Sequence, residues 1–471
     1  MVVGAAEDAA RTGNLVEATT KMNLARLAGL DAIRLTSVWR PGRSAPTESE
    51  LAALRGASGG AQLTGMRVFL AIYTNARWTP RTAKTRRQFA SYAAELARSL
   101  PGVTDVIVGN EPNLNRFWMP QFDRHGRDTA APAYVRLLAQ TYDALKRVSP
   151  DIVVVGGAVS PRGSDNFRLK RHTHSPTRFI LDMGRAYRTS GRRLPIMDAL
   201  ALHPYPDPRG SVVRPHPRST TIGIGDYGKL VRVLGRAFNG TEQAGSTLPI
   251  VYAEFGIESK IPRAKRRVYN HLKTKAARAG VSEGRQAVRY RQALAMAQCQ
   301  PTVVGLLLFH VTDERDARAW QSGLYYPDDT PKTSLAGVRD AARLAREGKL
   351  ARCGTAKPVN PVERVSFPED VRRVDLVCDR PCRYVAELVA LPPEAGGTAV
   401  TTASALSTEG EGAAGEEQAV ELVSDQLAPG RYRYVVRVSA IDSPGATVVR
   451  FGPAFTVDAT PAEASVSGEA G

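Results

Sequence analysis

The sequence predicts an α/β protein in which a barrel of eight parallel strands precedes a small all-β sandwich. Eight short apolar runs alternate with segments of helical spacing up to about residue 350, and no glycine-rich phosphate-binding loop follows the first run. This pattern favours a (β/α)₈ barrel, or TIM barrel, over an open doubly wound sheet. Beyond Gly348 the pattern changes to period-two alternation with glycine and proline turns, which is typical of an immunoglobulin- or fibronectin-like sandwich.

The eight predicted barrel strands are near-continuous apolar runs, as expected for parallel strands that are covered on both faces. They lie at residues 2–5, 32–39, 67–73, 105–111, 152–159, 197–205, 249–255 and 303–311. Between them, apolar residues at spacings of three and four predict helices, most clearly at 14–29, 87–100, 133–148, 284–298 and 334–348. We therefore expect a barrel at 1–350, a linker at 351–362, a sandwich at 363–458 and a disordered tail at 459–471.

Four cysteines are present, and two of them flank a predicted turn in the sandwich. Cys378 and Cys382 enclose Asp-Arg-Pro between two apparent strands, so a disulfide across this hairpin is geometrically reasonable. A zinc site is the alternative, although a second ligand pair and a nearby histidine are missing from the sequence around it. The even cysteine count favours an extracellular protein, even though the first residues do not have the pattern of a signal peptide.

The formal net charge of +18 raises nucleic acid as a partner, but the sequence contains no helix-turn-helix, zinc-finger or aromatic RNA-binding signature. The excess of arginine and alanine is also typical of a GC-rich genome. No apolar run reaches the roughly 18 to 20 residues of a membrane-spanning helix. We expect a monomer that binds neither nucleic acid nor a cofactor and does not span a membrane.

Polar residues stand at the ends of three predicted strands, where the catalytic groups of such barrels lie. Asn110 and Glu111 end the fourth strand, His203 and Tyr205 end the sixth, and Glu254 ends the seventh. A single glutamate at such a place is often solvated or ion-paired. Two carboxylates across one mouth suit the cleavage of a glycosidic bond, which requires one protonated and one ionised group.

With these residues the sequence resembles the retaining glycoside hydrolases of clan A, the superfamily that includes cellulases and β-xylosidases. Asn110-Glu111-Pro112 matches the acid/base motif of the clan, and the glutamate of VYAEFG, Glu254, matches its nucleophile. The resemblance implies that Asn110 hydrogen-bonds the sugar 2-hydroxyl and that Arg34 supports the nucleophile. It implies the hydrolysis of O-glycosidic bonds in an oligo- or polysaccharide by double displacement.

His203-Pro204-Tyr205 resembles the strand-six element of the clan, whose tyrosine hydrogen-bonds the nucleophile. The tryptophan that many members carry at the end of strand eight is replaced here by Phe309 and His310, and Trp320 is a candidate substitute. Trp39 and Trp118 follow other strands, and their rings are candidates for stacking on sugars, with loop packing as the alternative.

The resemblance also has electrostatic consequences for the two carboxyl groups. Arg34 and Tyr205 should hold the pKa of Glu254 low, whereas Glu111 should stay protonated beside that negative charge. A retaining enzyme requires the two carboxyl groups to be about 5 to 5.5 Å apart. The His172-Thr173-His174 pair lacks the strand position and the carboxylates of a metal site, so we expect no metal and a surface location for this pair.

Basic residues are concentrated in three segments that follow predicted strands five, six and seven. Lys and Arg outnumber Asp and Glu by 5 to 1 at 160–178, by 3 to 0 at 209–218 and by 8 to 0 at 260–278. These segments could recruit an anionic glycan, or they could be solvated loops of biased composition. An inactive barrel that binds cell-surface polysaccharide is the alternative to an enzyme.

Overall fold

A computed structural model of the protein describes residues 1–100, 102–207, 211–273, 280–353, 362–368, 373–378, 381–391, 404–422, 427–441 and 443–458. The chain divides into two units, Met1–Pro358 and Val359–Gly471. The division falls inside the predicted linker, of which residues 354–361 lie outside the described residues. The predicted tail at 459–471 also lies outside them.

The first unit is a closed barrel of eight parallel strands in sequential order, as predicted. Closure occurs between the first and last strands, where Val2 pairs with Gly305 and Ala6 pairs with Phe309. The strands are β1 (Val2–Ala6), β2 (Ala32–Val38), β3 (Arg67–Tyr73), β4 (Val103–Val108), β5 (Val153–Val159), β6 (Ala199–Leu202), β7 (Ile250–Phe255) and β8 (Val303–Phe309).

One helix follows each strand of the barrel, and polar residues mark where several of the helices begin. The side chains of Asn14, Thr47, Thr82 and Ser282 accept hydrogen bonds from backbone N–H groups in the first turns that follow them. The helices are α1 (Leu15–Leu27), α2 (Glu48–Leu63), α3 (Ala83–Ser99), α4 (Ala130–Val148), α5 (Pro176–Thr189), α6 (Tyr227–Phe238), α7 (Glu283–Gln298) and α8 (Leu335–Arg346).

Two apolar layers hold the barrel together. The inner layer contains mainly small and branched side chains, among them Ala71, Ile107, Ala201 and Leu307. The outer layer is larger and fills the space between strands and helices. Burial of both faces explains why the strands read as continuous apolar runs rather than as alternating ones.

Four strands end earlier than their apolar runs suggested, and the difference is largest, at three residues, for the fourth and the sixth. The predicted fourth strand extended to Glu111, but β4 ends at Val108, because Gly109 (φ +82°) and Glu111 (φ +38°) leave the extended conformation. The predicted sixth strand covered 197–205, whereas β6 contains only Ala199–Leu202. Asn110, Glu111, His203 and Tyr205 therefore lie on the segments just beyond their strands.

The second unit is a small antiparallel sandwich, which confirms the predicted fold class. One sheet has the order β13-β10-β9 and the other the order β12-β11-β14-β15. A shared core includes Leu376 from the first sheet and Leu388 and Val436 from the second. The strands are β9 (Val362–Ser366), β10 (Arg373–Cys378), β11 (Cys382–Ala390), β12 (Ser404–Gly412), β13 (Glu417–Glu421), β14 (Gly430–Ala440) and β15 (Ser443–Val457).

All four cysteines form disulfides. Cys378 and Cys382 join the ends of β10 and β11, as the hairpin hypothesis predicted. Cys299 and Cys353 form a second bond, which ties the end of α7 to the segment after α8 and which the sequence pattern did not indicate. Among the described residues, no helix is both long and apolar enough to cross a membrane.

Candidate active site

Glu254, the fifth residue of β7, lies at the centre of a hydrogen-bond network at the barrel mouth. Its Oε1 accepts hydrogen bonds from Arg34 Nη2 at 2.6 Å and from the Tyr73 hydroxyl at 3.1 Å. Its Oε2 accepts one from the Tyr205 hydroxyl at 2.9 Å. The residue is only 7% exposed, so these donors replace the water that a surface carboxylate would bind.

The charge state of Glu254 follows from the balance between burial and its neighbours. Burial alone would raise the pKa of the carboxyl group, but His203, Arg34 and the hydrogen bond from Tyr205 outweigh it and lower the pKa to about 2. Burial raises the pKa of Tyr73 and of Tyr205 well above the usual value for tyrosine. Both hydroxyls therefore stay protonated, and Glu254 is an anion at neutral pH.

Glu111 lies across the mouth from Glu254, and His203 contacts both carboxylates. Nδ1 of His203 lies 3.2 Å from Glu111 Oε1 and 3.5 Å from Glu254 Oε2. Because both oxygens contact one nitrogen, they cannot be farther apart than the sum of these distances, about 6.7 Å. The structure therefore brings together the two glutamates that the sequence predicted as a pair.

The backbone that carries Glu111 is strained and is held from several sides. Glu111 has a positive φ of +38°, which is uncommon for a residue with a side chain, and its N–H donates to the carbonyl of Ala158 at 2.9 Å. Two residues on, the Asn113 side chain accepts from Ser160 N–H and donates to the carbonyls of Ser160 and His174. Strain of this kind persists only where the surroundings enforce it, and it is concentrated at functional sites.

Asn110, directly before Glu111, is 97% buried, since only 3% of its surface is exposed. Its side-chain oxygen has no hydrogen-bond partner within the described part of the chain. A buried amide oxygen without a partner is costly unless a ligand or water satisfies it. Its position beside Glu111 fits the sugar contact that the sequence resemblance implied.

Trp320 lies at the mouth, as the sequence analysis suggested. Its ring stacks on Tyr205 with centroids 5.0 Å apart and meets Phe309 edge-on at 5.5 Å. The side chain is 36% exposed, so one part of the ring remains open to a ligand. The loop between β8 and α8 thus places an aromatic surface next to the ring that hydrogen-bonds Glu254.

The other two predicted sugar-binding tryptophans are contradicted by their burial. Trp39 has no exposed surface, packs edge-on against Phe89 and donates its indole N–H to the carbonyl of Arg43. Trp118 is 1% exposed and packs edge-on against Tyr134. Both rings stabilise loops from within, because the segments after β2 and β4 fold back over them.

The site also includes Tyr73, which the sequence analysis treated only as one of several aromatic residues at strand ends. It contacts both Arg34, at 2.9 Å, and Glu254. Its place as the last residue of β3 was a usable signal, but a tyrosine at a strand end is equally compatible with packing.

A cavity of about 540 Å³ opens on the side of Glu254 that faces β1, β2, β3 and β8. Its wall contains Arg34 and Tyr73, which bind Glu254, together with Phe309. Polar groups that could meet sugar hydroxyls make up much of the rest: Glu7, Asp8, Lys21, Thr36, His310, Thr312, Asp313, Glu314, Arg315 and Asp316.

The expectation that His172-Thr173-His174 lies at the surface is wrong for two of its three residues. Thr173 and His174 are buried, and the ring of His174 packs 4.2 Å from that of Phe122, while its Nε2 lies 3.0 Å from the carbonyl oxygen of Gln121. The loop after β5 turns back against the loop after β4, which covers this segment. Within the described ranges, no group of three or more His, Cys, Asp or Glu side chains is arranged to hold a metal ion.

No protein-family model and no curated protein matches this sequence. Glycoside hydrolases are among the solved structures that match, with low similarity. A Bacteroides uniformis β-glucuronidase is 12% identical with a TM-score of 0.45, and the match covers 97% of this chain but 45% of that one. GH5_18 from Streptomyces cattleya in complex with GlcNAc is 14% identical with a TM-score of 0.48, covering 73% of this chain and 80% of that one.

A GH2 β-galacturonidase from Eisenbergiella tayi is 13% identical with a TM-score of 0.43, covering 73% of this chain and 51% of that one. The chain spans less than half the length of the β-glucuronidase that it matches. The chemistry has to be argued from the side chains at the mouth.

Proposed function

We propose that this protein is a glycosidase that hydrolyses O-glycosidic bonds with retention of configuration at the anomeric carbon. One observation carries the proposal: an anionic glutamate and a second glutamate face each other at the barrel mouth, within about 6.7 Å, with one histidine nitrogen between them. This limit applies to one oxygen of each carboxyl group and is compatible with the separation of roughly 5 to 5.5 Å between the carboxyl groups of retaining enzymes.

In the first step Glu254 is the nucleophile. Its carboxylate attacks the anomeric carbon, while Glu111 donates its proton to the glycosidic oxygen, so that the leaving group departs as an alcohol. Arg34, Tyr73 and Tyr205 orient the carboxylate of Glu254 and keep it ionised before the attack. The unpartnered oxygen of Asn110 accepts a hydrogen bond from the sugar 2-hydroxyl.

In the second step the charge relationship between the glutamates is reversed. Once Glu254 has become a glycosyl ester it has lost its negative charge, and Glu111, having given up its proton, is a carboxylate. Glu111 then takes a proton from water, the resulting hydroxide attacks the anomeric carbon, and the ester bond to Glu254 breaks. The sugar is released with its original anomeric configuration, and both glutamates return to their starting states.

The proposed substrate is an oligo- or polysaccharide outside the cell. The exposed aromatic ring of Trp320 and the polar cavity beside Glu254 support a carbohydrate, and two disulfides support an extracellular location. The basic residues of the loops after β5, β6 and β7 support an anionic glycan. Parts of those predicted segments, 209–210 and 274–278, lie outside the described residues.

The test is a panel of aryl glycosides and polysaccharides assayed with the wild type and with two variants. We expect Glu254→Ala to lose about 10³-fold or more of kcat, and added azide to restore turnover as a glycosyl azide of inverted configuration. Glu111→Gln should lose most activity on unactivated glycosides and much less on aryl glycosides with acidic leaving groups, which depart without a proton.

The retained configuration of the product can be read directly by NMR during hydrolysis. A product of inverted configuration from the wild type would contradict double displacement. Binding of a polysaccharide without hydrolysis of any substrate, by a folded protein, would instead identify an inactive binding barrel.

A further inference from the structure

Exposed cations without a carboxylate at ion-pair distance lie on two of the loops that follow the carboxyl ends of the barrel strands. Arg168, Lys170 and Arg171 lie on the loop after β5, and Arg214 and Arg218 lie on the loop after β6. We call these five residues the β5/β6 cations. Within the described ranges, none of them has a carboxylate oxygen at ion-pair distance.

The acids of these loops already have partners. Asp165 accepts a hydrogen bond from the N–H of Ser175 at 2.7 Å, and Asp207 binds Arg162 at 2.8 Å and His216 at 3.0 Å. The described residues of these loops include more cations than acids, and this net positive charge attracts an anionic ligand.

The loops that carry the β5/β6 cations adjoin the Glu111 side of the site. Arg162, on the same loop as Lys170, reaches the carbonyl oxygens of Tyr205 and Pro206 at 3.5 and 3.3 Å. Arg162 also binds Asp207 at 2.8 Å, which joins the two loops. Asn113, two residues after Glu111, binds both ends of the loop after β5. The two loops thus form one wall beside the proposed acid.

The cavity on the opposite side of Glu254 has a different charge distribution. Its cations are largely paired: Arg34 with Glu254 at 2.6 Å, Lys21 with Asp329 at 2.7 Å and His310 with Glu314 at 3.4 Å. Among the described lining residues, exposed Arg315 is the remaining cation without such a partner.

Carboxylates are abundant in the same cavity and are held in place. Glu7 accepts backbone N–H groups of Ala9 and Thr312, and Asp8 accepts that of Thr36. Carboxyl oxygens held in this way accept hydrogen bonds from neutral hydroxyl groups. The ionised groups among them repel an anionic sugar, whereas burial raises the pKa of Glu7 and favours its neutral form.

The Glu111 side and the cavity side of the site correspond to the leaving group and the transferred sugar of a substrate. Arg34 and Tyr73 hold Glu254 Oε1 from the cavity, whereas Oε2 faces Tyr205, His203 and, beyond them, Glu111. Because Glu111 protonates the departing oxygen, the leaving group lies on its side. The sugar that is transferred to Glu254 extends into the cavity.

We propose that the enzyme cleaves a neutral sugar from a leaving group that carries an anionic substituent, which the β5/β6 cations bind. The proposal rests on the proposed glycosidase function and adds that the negative charge of the substrate is confined to the leaving-group side. A carboxylate, a sulfate and a phosphate share the chemistry that these cations recognise.

The test compares disaccharides that share one neutral reacting sugar, chosen as the sugar whose aryl glycoside the wild type hydrolyses. The leaving sugar is neutral or bears a carboxylate, a sulfate or a phosphate, and these arms identify the anion. The variant Lys170→Glu/Arg218→Glu reverses two of the β5/β6 cations. Its control, Arg147→Glu/Arg193→Glu, changes the net charge equally at exposed positions that precede β5 and β6, at the opposite end of the strands.

With an anionic leaving sugar, Lys170→Glu/Arg218→Glu should raise KM about tenfold or more and leave kcat within about twofold. With the neutral leaving sugar, its KM should not change, and the control variant should resemble the wild type throughout. Raising the salt from about 20 to about 200 mM should lower the wild-type kcat/KM severalfold for anionic leaving sugars only.

Three results would overturn the inference: equal effects of the two double variants, preference for a negatively charged reacting sugar, or wild-type rates that are independent of leaving-group charge and salt. The salt series uses the wild type, so it tests the inference even if a variant does not fold. If the enzyme hydrolyses the neutral aryl glycoside but shows no preference for an anionic leaving sugar, this inference is wrong and the glycosidase proposal stands. Failure of every glycoside overturns the glycosidase proposal and this inference with it.

Discussion

Glu254 is a buried carboxylate whose hydrogen-bond donors come from three different parts of the barrel. Arg34 belongs to β2, Tyr73 ends β3, and Tyr205 lies beyond β6. Without them burial would favour the protonated acid, which cannot act as a nucleophile. The reactivity of this one residue thus depends on positions up to 220 residues away in sequence.

Removing one donor should make the activity more sensitive to acid. Tyr205→Phe deletes the hydrogen bond to Oε2, so the pKa of Glu254 should rise above its value of about 2. Because the nucleophile is active when ionised, the acid limb of the kcat/KM profile should move to higher pH. The pH-rate profile measures this shift as a lower ratio of kcat/KM at about pH 4 to that at about pH 7.

Tyr252→Phe is the matched control for that experiment. Tyr252 is also buried on β7, but its hydroxyl donates to Gln300 rather than to Glu254. An equal displacement of the acid limb in both variants would contradict a direct effect of Tyr205 on Glu254.

Two tryptophans should respond differently to truncation. Trp320→Ala removes an exposed ring at the mouth, so we expect a KM raised several-fold for oligosaccharides and little change in the free energy of unfolding. Trp39→Ala leaves a cavity in the core and should lower that free energy by about 3 to 5 kcal/mol. Steady-state kinetics and urea denaturation of both variants distinguish the roles, and an unchanged KM in Trp320→Ala would exclude a sugar contact by this ring.

At the scale of elements, most residues of the site lie on the loops beyond the strands. Buried polar contacts between these loops fix their positions. Lys332, 3% exposed, donates to Asp313 and Ser259 at 2.8 Å, and Tyr269 donates to Asp313 at 2.6 Å. These bonds join the loop after β7 to the loop after β8 that carries Trp320.

Removing one charge of the Lys332–Asp313 pair should lower the free energy of unfolding more than removing both charges. Lys332→Met leaves the Asp313 carboxylate buried without a cation, and we expect a loss of about 3 to 5 kcal/mol in the free energy of unfolding. Lys332→Met/Asp313→Asn removes both charges and should lose less. Chemical denaturation of the two variants provides the comparison, and a double variant that is less stable than Lys332→Met would refute this account.

At the scale of the whole molecule, the chain consists of two units with separate cores, and each contains one disulfide. The two bonds close loops of very different length. Cys299 and Cys353 are 54 residues apart, whereas Cys378 and Cys382 are 4 apart. A longer loop loses more conformational entropy when it is closed in the unfolded chain.

Removal of the longer cross-link should therefore cost more stability. Cys299→Ser/Cys353→Ser should lower the free energy of unfolding of the barrel by about 4 kcal/mol, and Cys378→Ser/Cys382→Ser should lower that of the sandwich by about 2 kcal/mol. Denaturation without reductant measures both. Retained kcat/KM in the first variant is expected, since Cys299 follows α7 and does not contact the site.

Much of the architecture could be predicted because burial leaves a periodic trace in sequence. The eight apolar runs, the capped helices and the alternating strands each reflect a local relation between spacing and the face that a residue presents. Glu111, Glu254, His203 and Tyr205 could be proposed together because the barrel rule places strand ends at one mouth, and the resemblance to clan A added Arg34. The described contacts do bring these five residues together.

The remaining features depend on contacts between residues that are distant in sequence. Trp39 and Trp118 were misassigned because a ring after a strand has the same local pattern whether a loop covers it or not. The burial of His174, the Cys299–Cys353 bond and the hydrogen bond from Tyr73 to Glu254 likewise leave no local periodicity.

The sequence by itself thus determined the order of strands and helices and the end of the barrel at which the polar residues gather. Only the tertiary structure decided which of those residues touch, which rings face solvent and which cations lack a partner. The physical reason is that periodicity records burial by neighbouring residues in the chain, whereas loop packing and charge pairing are set by residues that folding brings together from different strands.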